Sequence, residues 1–523
     1  MVKWSRFSPT NKTLDKRYRH HATRDSYWDG KRRKIFISLL VPFFIIQTLF
    51  IGLQAYIYGV AFHSTSSAHN LRTIAVDYDG GIVGQSMQEA YHLLEGPGFI
   101  GLEWHDASEY PTPDSIYDRV FQGGNIWAGV YVFSGASDRL AAALADNTTA
   151  QSYNNSGAIG AVYNQARYPD FADAYVMADL EELVITSRLV WDEINGTKAL
   201  TSIPHDHTAS LAVALNPIGS TVHNIKPLND GVEVFYNTVG QVFTILMQFF
   251  FLMAFNTLLR DWQLDSKLPI KHYVIMRILI SLVYTFVGSL LVALNIYAYR
   301  GNTTFSGAQV VLLWMAFWLG LHVIFLVMEI ATTFLPQKLL PLFIITFIIA
   351  NVSSAVLPFD LSPGFYRWGY ALPSRNVYQL EITIMSGGAN NSLDVNLPVL
   401  FAWETILIPL AFFSTVWRLN KAVEADQEVQ ELIKADQERD VQTETEASRR
   451  RRLELAELAR GNLQDAARGT FGLGFPAPGP YNSYREELRK GEEVAEEEVE
   501  ARLEAGAGGE SRGAKTDESA SNE

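Results

Sequence analysis

The chain has 523 residues, a formal net charge of −14 and 48% hydrophobic residues. Its apolar residues are gathered in long runs, a distribution typical of membrane spans separated by polar parts. Cysteine is absent, which excludes thiolate catalysis, zinc–thiolate sites and iron–sulfur clusters, and the excess negative charge argues against nucleic acid as a partner.

The N-terminal arm, residues 1–34, is rich in Lys and Arg and precedes the first of six apolar runs. Each run is long enough to cross a bilayer, which takes about 20 residues. Because positive charge favours the cytoplasmic side, we predict that the arm is cytoplasmic, and Arg260, Lys271 and Lys338 between later runs agree with this orientation. Both termini are therefore expected in the cytoplasm. The predicted spans are Ile35–Tyr58, Val239–Leu259, Val274–Tyr297, Ala308–Thr333, Leu339–Leu357 and Val399–Trp417.

The polar insert between the first two spans, residues 61–238, is predicted to form a mixed α/β domain outside the cytoplasm, because short β-rich runs alternate in it with helical patterns. The fold class is then an α-helical polytopic membrane protein with six transmembrane helices and an α/β extracytoplasmic domain inserted between helices 1 and 2. The predicted strands are Thr73–Tyr78, Ile100–Trp104 and Ile126–Phe133, and the predicted helices are Gly84–Leu94, Pro113–Phe121, Ser137–Ala145 and Phe171–Trp191.

The stretch TIAVDYDGGIVGQS, residues 73–86, resembles a nucleotide-binding loop or a cation-binding site. An external position removes the nucleotide interpretation, and two carboxylates without further ligands, Asp77 and Asp79, make a weak cation site. We therefore predict a structural role. The first strand ends here, the chain turns where glycine permits positive φ, and a helix begins near Gly84.

Glycosylation sequons provide an independent test of the orientation, because the N-x-S/T acceptor belongs to surface loops of secreted segments. Three sequons lie in the insert and two in later connections, all on the side that the charge rule places outside. Two more, at Asn11 and Asn351, fall in the arm and within a span, where they cannot be used. The candidate acceptors are Asn147, Asn154, Asn195, Asn302 and Asn390.

After the last span, residues 418–463 have the pattern of a charged cytoplasmic helix. A Gly/Pro break follows, and residues 464–523 form an acidic tail that we predict to be disordered. The GAKT sequence at Gly513–Thr516 lacks the spacing and the strand–helix context of a phosphate loop. We expect no ATPase domain in this chain.

Four ionisable residues within the spans are the candidate functional residues, because charge in a bilayer is energetically unfavourable. Arg277 and Glu329 are both close to the cytoplasmic ends of their spans and suit a pair between adjacent helices or snorkelling to the interface. His322, seven residues before Glu329 on the same helical face, suits a proton relay or a substrate contact with it. Glu404 is placed to reach the headgroups. No nucleophile–base or metal-ligand constellation emerges, so we expect neither an enzyme nor a metal site nor a cofactor.

Three segments together carry a family resemblance: YGVAFHSTSSAHNLRTIAVDYDGGIVGQS after the first span, GGNIWAGVYVFSGAS in the insert, and LPFDLSPGFYRWGYALPSRNVYQ near the fifth span. The pattern resembles the fungal nitrosoguanidine-resistance membrane proteins. These are similar in turn to phage-infection-protein-like and type-two ABC-exporter permease subunits, with one span, a large external domain and five further spans. The resemblance covers about Lys34 to Arg418 and supplies no catalytic residues.

The resemblance implies a plasma-membrane protein that contributes to tolerance of toxic compounds, by efflux or by altering the distribution of membrane lipids. Our first hypothesis is a permease-like exporter of small amphipathic compounds that works as a homodimer, in which substitution of Glu329 by Gln impairs export. The alternative is a non-transporting membrane scaffold or sensor, whose external domain binds a ligand or partner and whose tail recruits cytoplasmic proteins.

Overall fold

The computed structural model describes residues 31–228, 232–301 and 303–443. Most of the basic arm, the sequon at Asn302, the charged segment after residue 443 and the acidic tail 464–523 lie outside the described residues. The chain divides into two compact units, Met1–Leu252 with Val274–Thr415 and Met253–Tyr273 with Val416–Glu523.

The first unit begins with helix α1 (Lys31–Val60), which is followed by a five-stranded sheet and its helices. Two π-helical segments, Ala172–Met177 and Asp192–Gly196, flank the longest of these helices. The strands are β1 (Arg72–Asp77), β2 (Gly101–His105), β3 (Ile126–Val132), β4 (Ile159–Tyr163) and β5 (Ser220–Asn224). The helices are α2 (Ile82–Leu94), α3 (Pro113–Gln122), α4 (Ala136–Ala145), α5 (Asn147–Gln151), α6 (Ala178–Trp191), α7 (Thr197–Ser202) and α8 (Thr208–Leu215).

The sheet has the order β2-β1-β3-β4-β5. β1 is parallel to β2 and β3, β4 is antiparallel to β3, and β5 is parallel to β4. All seven residues of β3 are buried, as expected for a strand with both faces covered. Ile74 belongs to the apolar cluster of α3 on one face, whereas Ala75 belongs to the cluster of Met87 and Leu140 on the other face. Alternate residues of β1 thus serve two cores.

The end of β1 confirms the structural interpretation of the Asp77–Gly81 turn. Asp77 Oδ1 accepts hydrogen bonds from the backbone N–H groups of Asp79 (2.9 Å) and Gly80 (3.0 Å). Asp79 accepts from the backbone and the hydroxyl of Ser137, and Gly80 has φ +64°. The domain's own donors therefore satisfy both carboxylates, and the next helix starts at Ile82 rather than near Gly84.

After the sheet, the described residues form six helices of more than ten residues: α9 (Val239–Asp261), α10 (Ile270–Ala298), α11 (Gly307–Phe334), α12 (Leu340–Ala355), α13 (Pro373–Met385) and α14 (Leu393–Thr443). Among the described residues, five helices are long and apolar enough to cross a membrane: α1, α9, α10, α11 and α14. α12 takes the place of the predicted span Leu339–Leu357 but has 16 residues. That is about 24 Å of helix against a hydrocarbon core of about 30 Å, so length alone supports five spans instead of six.

The membrane helices of the first unit pack through aromatic side chains that hydrogen-bond to backbone carbonyls. The Tyr284 hydroxyl of α10 donates to Met247 O of α9 (2.8 Å), and its ring stacks on Phe251. The Trp314 indole of α11 donates to Phe286 O of α10 (2.9 Å). α9, α10 and α11 therefore pack as antiparallel neighbours, as short connections favour.

The second unit contains the connection between α9 and α10, which holds a single helical turn at Leu264–Lys267. Arg418, in the part of α14 that belongs to this unit, donates a hydrogen bond to Asn256 Oδ1. The Thr257 hydroxyl donates to Met253 O (2.8 Å) within α9.

α13 is a helix that the sequence did not predict. A 3₁₀ helix, Gly364–Ala371, comes directly before it. Eleven of the thirteen residues of α13 are buried although five of those eleven are polar. Gly320 lets α11 approach it closely, since a Cβ at Gly320 would lie 2.3 Å from Val377 Cγ2.

Hydrogen bonds join the α/β domain to the connection between α12 and α13, which belongs to the same unit. The Trp127 indole donates to Asp360 Oδ2 (3.2 Å), in the connection between α12 and α13. Arg167 lies 3.7 Å from the Trp127 ring and donates to the carbonyls of Gly124 and Ile126. Burial lowers the pKa of Arg167 to about 10 and Asp360 opposes the shift, so the guanidinium stays charged at neutral pH.

Candidate functional site

The first pair of ionisable side chains among the helices is Arg277 of α10 with Glu329 of α11. Arg277 Nη2 lies 2.6 Å from Glu329 Oε2, and the two side chains are 5% and 6% exposed. Because α10 and α11 are antiparallel neighbours, the start of α10, which contains Arg277, lies beside the end of α11, which contains Glu329. The structure thus places these two residues as a buried pair between adjacent helices.

The second pair joins α11 to α14. His322 Nδ1 lies 2.8 Å from Glu404 Oε1, and each side chain is 12% exposed. Glu404 Oε2 is buried and has no hydrogen-bond partner among the described residues. His322 therefore contacts Glu404, rather than the Glu329 with which the sequence interpretation paired it, and the Glu404 side chain is largely buried between the two helices.

α11 carries one member of each pair on the same face, seven residues or about 10 Å apart. The Arg277–Glu329 pair joins α11 to α10, and the His322–Glu404 pair joins α11 to α14. A guanidinium–carboxylate pair keeps its charges at all accessible pH values, whereas an imidazole–carboxylate pair can share and exchange a proton. Of these two pairs, the His322–Glu404 pair is the one that offers acid–base chemistry.

The described residues contain no group of three or more His, Asp and Glu side chains arranged to hold a metal ion. The structure nevertheless adds polar residues that the sequence interpretation missed, on α13. Gln379 accepts from the Asn390 amide (3.1 Å) and donates to the Tyr168 hydroxyl (3.2 Å) of the domain. The signal that could have revealed α13 is the proline at its start followed by apolar residues at Val377 and Leu380.

The candidate glycan acceptors differ in accessibility. Asn154 is exposed, and Asn147 is half-buried with its Oδ1 accepting from Ala209 N (2.9 Å). The Nδ2 atom of Asn195 is buried. Asn390 is 2% exposed, and its Nδ2 donates to Gln379 Oε1, so a glycan on that atom is incompatible with the packing of α13.

We expect Asn154 to be the best glycan acceptor among these four positions. In a eukaryotic host, substitution of Asn154 by Gln should remove one glycan, seen as the loss of one glycopeptide by mass spectrometry and as a mobility shift. The matched control, Asn390→Gln, should leave the glycopeptides unchanged. A glycan on Asn390, or none on Asn154, would contradict this assignment.

Comparisons with known proteins place the chain among membrane proteins. The family described as "Protein of unknown function (DUF3533)" matches residues 42–408, which include the α/β domain and the membrane helices up to the first part of α14. An uncharacterized endoplasmic reticulum membrane protein of Saccharomyces cerevisiae is 20% identical over 423 residues, which cover 73% of this chain and 80% of the yeast protein. No solved structure matches. Together with the five apolar helices, these matches identify an α-helical integral membrane protein.

Proposed function

Because the chain belongs to the DUF3533 family and is similar to a fungal membrane protein, we propose that it is a permease-like protein that exports small amphipathic compounds and so confers tolerance to them. The observation that carries the proposal is the buried His322–Glu404 pair between α11 and α14. Ionisable side chains within a helix bundle mark substrate or proton pathways by default, because placing them there is energetically unfavourable.

The pair also suits a proton-driven mechanism. A proton shared by His322 and Glu404 is bound at the contact of two membrane helices, so its gain or loss changes the charge balance between those helices. Glu404 Oε2 has no partner among the described residues, which leaves one carboxylate oxygen able to receive a proton or a cationic group of a substrate. If the proton and the cationic group of the compound bind in turn to this carboxylate, movement of the compound is coupled to movement of the proton.

The proposal includes six crossings with both termini in the cytoplasm, and the contacts of the α/β domain support this number. Lys226 of the domain donates to Thr304 O just before α11 (2.9 Å), and Trp127 of the domain donates to Asp360 after α12. The chain therefore leaves the domain along the 28 residues of α11 and returns to the same domain through α12. A return over that distance supports α12 as a crossing, completed at its ends by non-helical residues.

We place the protein in the plasma membrane, the location that the sequence resemblance implies. The endoplasmic reticulum is the competing location, because the yeast relative is described as a protein of that membrane. Fractionation of cells that express the full chain, against markers of both membranes, is expected to recover it with the plasma membrane. Recovery with the endoplasmic reticulum would limit export to movement into that organelle.

The export proposal is tested with the purified full chain in liposomes that contain a fluorescent amphipathic cation. We expect the protein to accelerate movement of the cation when a proton gradient is imposed, and an ionophore that collapses the gradient should abolish the acceleration. Protein-free liposomes provide the baseline. Equal rates with and without the protein, for neutral and cationic amphiphiles alike, would overturn the proposal.

The second candidate, a membrane scaffold or sensor, is favoured by the docking of the domain onto α13. Hydrogen bonds join Tyr168 of the domain to Gln379 of α13, and Gln379 to Asn390. A ligand that moves Tyr168 would therefore also move α13, which packs on α11. Truncation after Thr443 separates the candidates, because an exporter should keep its flux and a scaffold should lose its cytoplasmic partners. Loss of tolerance in cells with unchanged flux in liposomes would favour the scaffold.

A further inference from the structure

Glu381, at the centre of α13, is a buried carboxyl group that the proposed export mechanism does not use. It is 2% exposed, and both of its carboxyl oxygens are buried without a hydrogen-bond partner among the described residues. Its helix has 13 residues and is not one of the candidate spans. A buried polar group without a partner is strongly unfavourable, and an ionised one far more so, so the position calls for an explanation.

No counter-charge for Glu381 comes from the elements packed against α13. On α11, His322 and Glu329 are each engaged with another residue, and α12 contains no titratable residue. Arg167 of the domain donates to backbone carbonyls, and Arg375 of α13 itself lies over the Phe359 and Tyr370 rings. The remaining titratable side chains on or beside α13 are Tyr168, Asp170, Asp360, Tyr366, Arg367, Tyr370 and Tyr378, together with Asp394 and Glu404 on α14, which also packs against α13.

Burial alone raises the pKa of Glu381 well above its ordinary value. The packed arrangement accordingly favours the neutral, protonated form of the carboxyl group. Since burial penalises the charged form, removal of the proton requires either a partner or access to water. Both require α13 to move away from the helices that cover it.

We propose that Glu381 is a proton-binding site whose occupancy holds α13 against α11, and that loss of this proton releases α13. The release also reaches the α/β domain, because α13 carries Gln379 and leads into Asn390, whose N–H donates to Phe121 O (2.8 Å). The site therefore couples the proton concentration to the docking of the domain. This proposal stands independently of export.

The direction of the pH dependence follows from linkage. The packed arrangement of α13 binds the proton more tightly than a water-exposed arrangement does, in which a glutamate has a pKa of about 4.3. The stability of the packed arrangement is therefore fully present below that pH and falls as the pH rises toward the raised pKa of Glu381. Across this window the released population rises about tenfold per pH unit.

The test uses the absence of native cysteine. Val377 lies one turn before Glu381 and is 3% exposed, so a Val377→Cys substitution provides a single thiol that reacts only when α13 is released. Its alkylation rate is measured on the full chain in lipid vesicles between pH 5 and 9, in the native background and together with Glu381→Gln. The ratio of the two rates removes the intrinsic pH dependence of the thiol. We expect this ratio to rise with pH by about tenfold per unit below the raised pKa of Glu381 and to level off above it.

Hydrogen exchange over residues 373–390, corrected for intrinsic rates, provides a second measurement without the new thiol. It should increase with pH in the native chain and not in Glu381→Gln. The control Asp179→Asn neutralises a half-buried carboxyl group on α6 and should keep the pH dependence of the native chain. A rate ratio that stays constant from pH 5 to 9, or equal exchange in the native chain and Glu381→Gln, overturns the proposal.

Discussion

Replacement of Arg277 by Met is expected to destabilise the fold by about 3–5 kcal/mol, because it leaves the Glu329 carboxylate buried without its guanidinium partner. The two side chains are 5% and 6% exposed, so water cannot compensate for the lost pair. The loss should appear as a large decrease in the thermal unfolding midpoint of the detergent-purified protein, followed by intrinsic tryptophan fluorescence.

A double-mutant cycle separates the pair from the residues themselves. The combined variant Arg277→Met with Glu329→Met should recover most of the lost stability, since no charge then remains buried. Arg367→Met is the matched control at an exposed arginine and should change the stability by less than about 0.5 kcal/mol. If the double variant is as unstable as Arg277→Met alone, the loss comes from packing rather than from the ion pair.

Substitution of Glu404 by Gln is expected to reduce gradient-driven movement of the amphipathic cation by about tenfold or more while the protein stays folded. The amide preserves the shape of the side chain and can still hydrogen-bond to His322, but it cannot bind and release a proton. The measurement is the liposome flux with and without the proton gradient, normalised to the folded fraction found from the unfolding midpoint.

The structure also changes what is expected of Glu329→Gln, for which the sequence interpretation predicts impaired export. Because Glu329 contacts Arg277, its substitution should lower the folded fraction, with a normal flux for each folded molecule. His322→Gln should behave like Glu404→Gln. Retention of the gradient-dependent flux in both His322→Gln and Glu404→Gln would exclude this pair from the transport mechanism.

The sequence predicted the elements whose signals are local. Long apolar runs identified the helices that now count as candidate spans, and β-branched runs identified β1, β2 and β3. β4 and β5 were missed because β4 is a five-residue strand after an Asn/Gly-rich loop and β5, Ser220–Asn224, is largely polar. Both strands form only because β3 provides an antiparallel partner for β4, which then pairs with β5.

The sequence predicted the part of the candidate site that depends on spacing within one helix, but not the contacts between helices. Seven residues of spacing correctly put His322 and Glu329 on one face of α11, but spacing within one helix cannot reveal which neighbouring helix meets each residue. Helix order is set by packing, so the partners Arg277 and Glu404 follow from the tertiary structure. The burial of Glu381 could not be predicted from the sequence, because the polar residues of its helix are typical of an exposed connection between two spans.

The docking of the domain onto α13 has a consequence for biogenesis. Phe121, Trp127 and Tyr168 leave the ribosome more than 200 residues before the partners they contact in and around α13. The side of the domain that receives α13 therefore stays uncovered until the last helices have been made. Contacts of such long sequence separation form slowly, because chain entropy is lost before they become favourable. We infer that assembly of this protein finishes after translation, with the aromatic face that receives α13 exposed to chaperones in the interval.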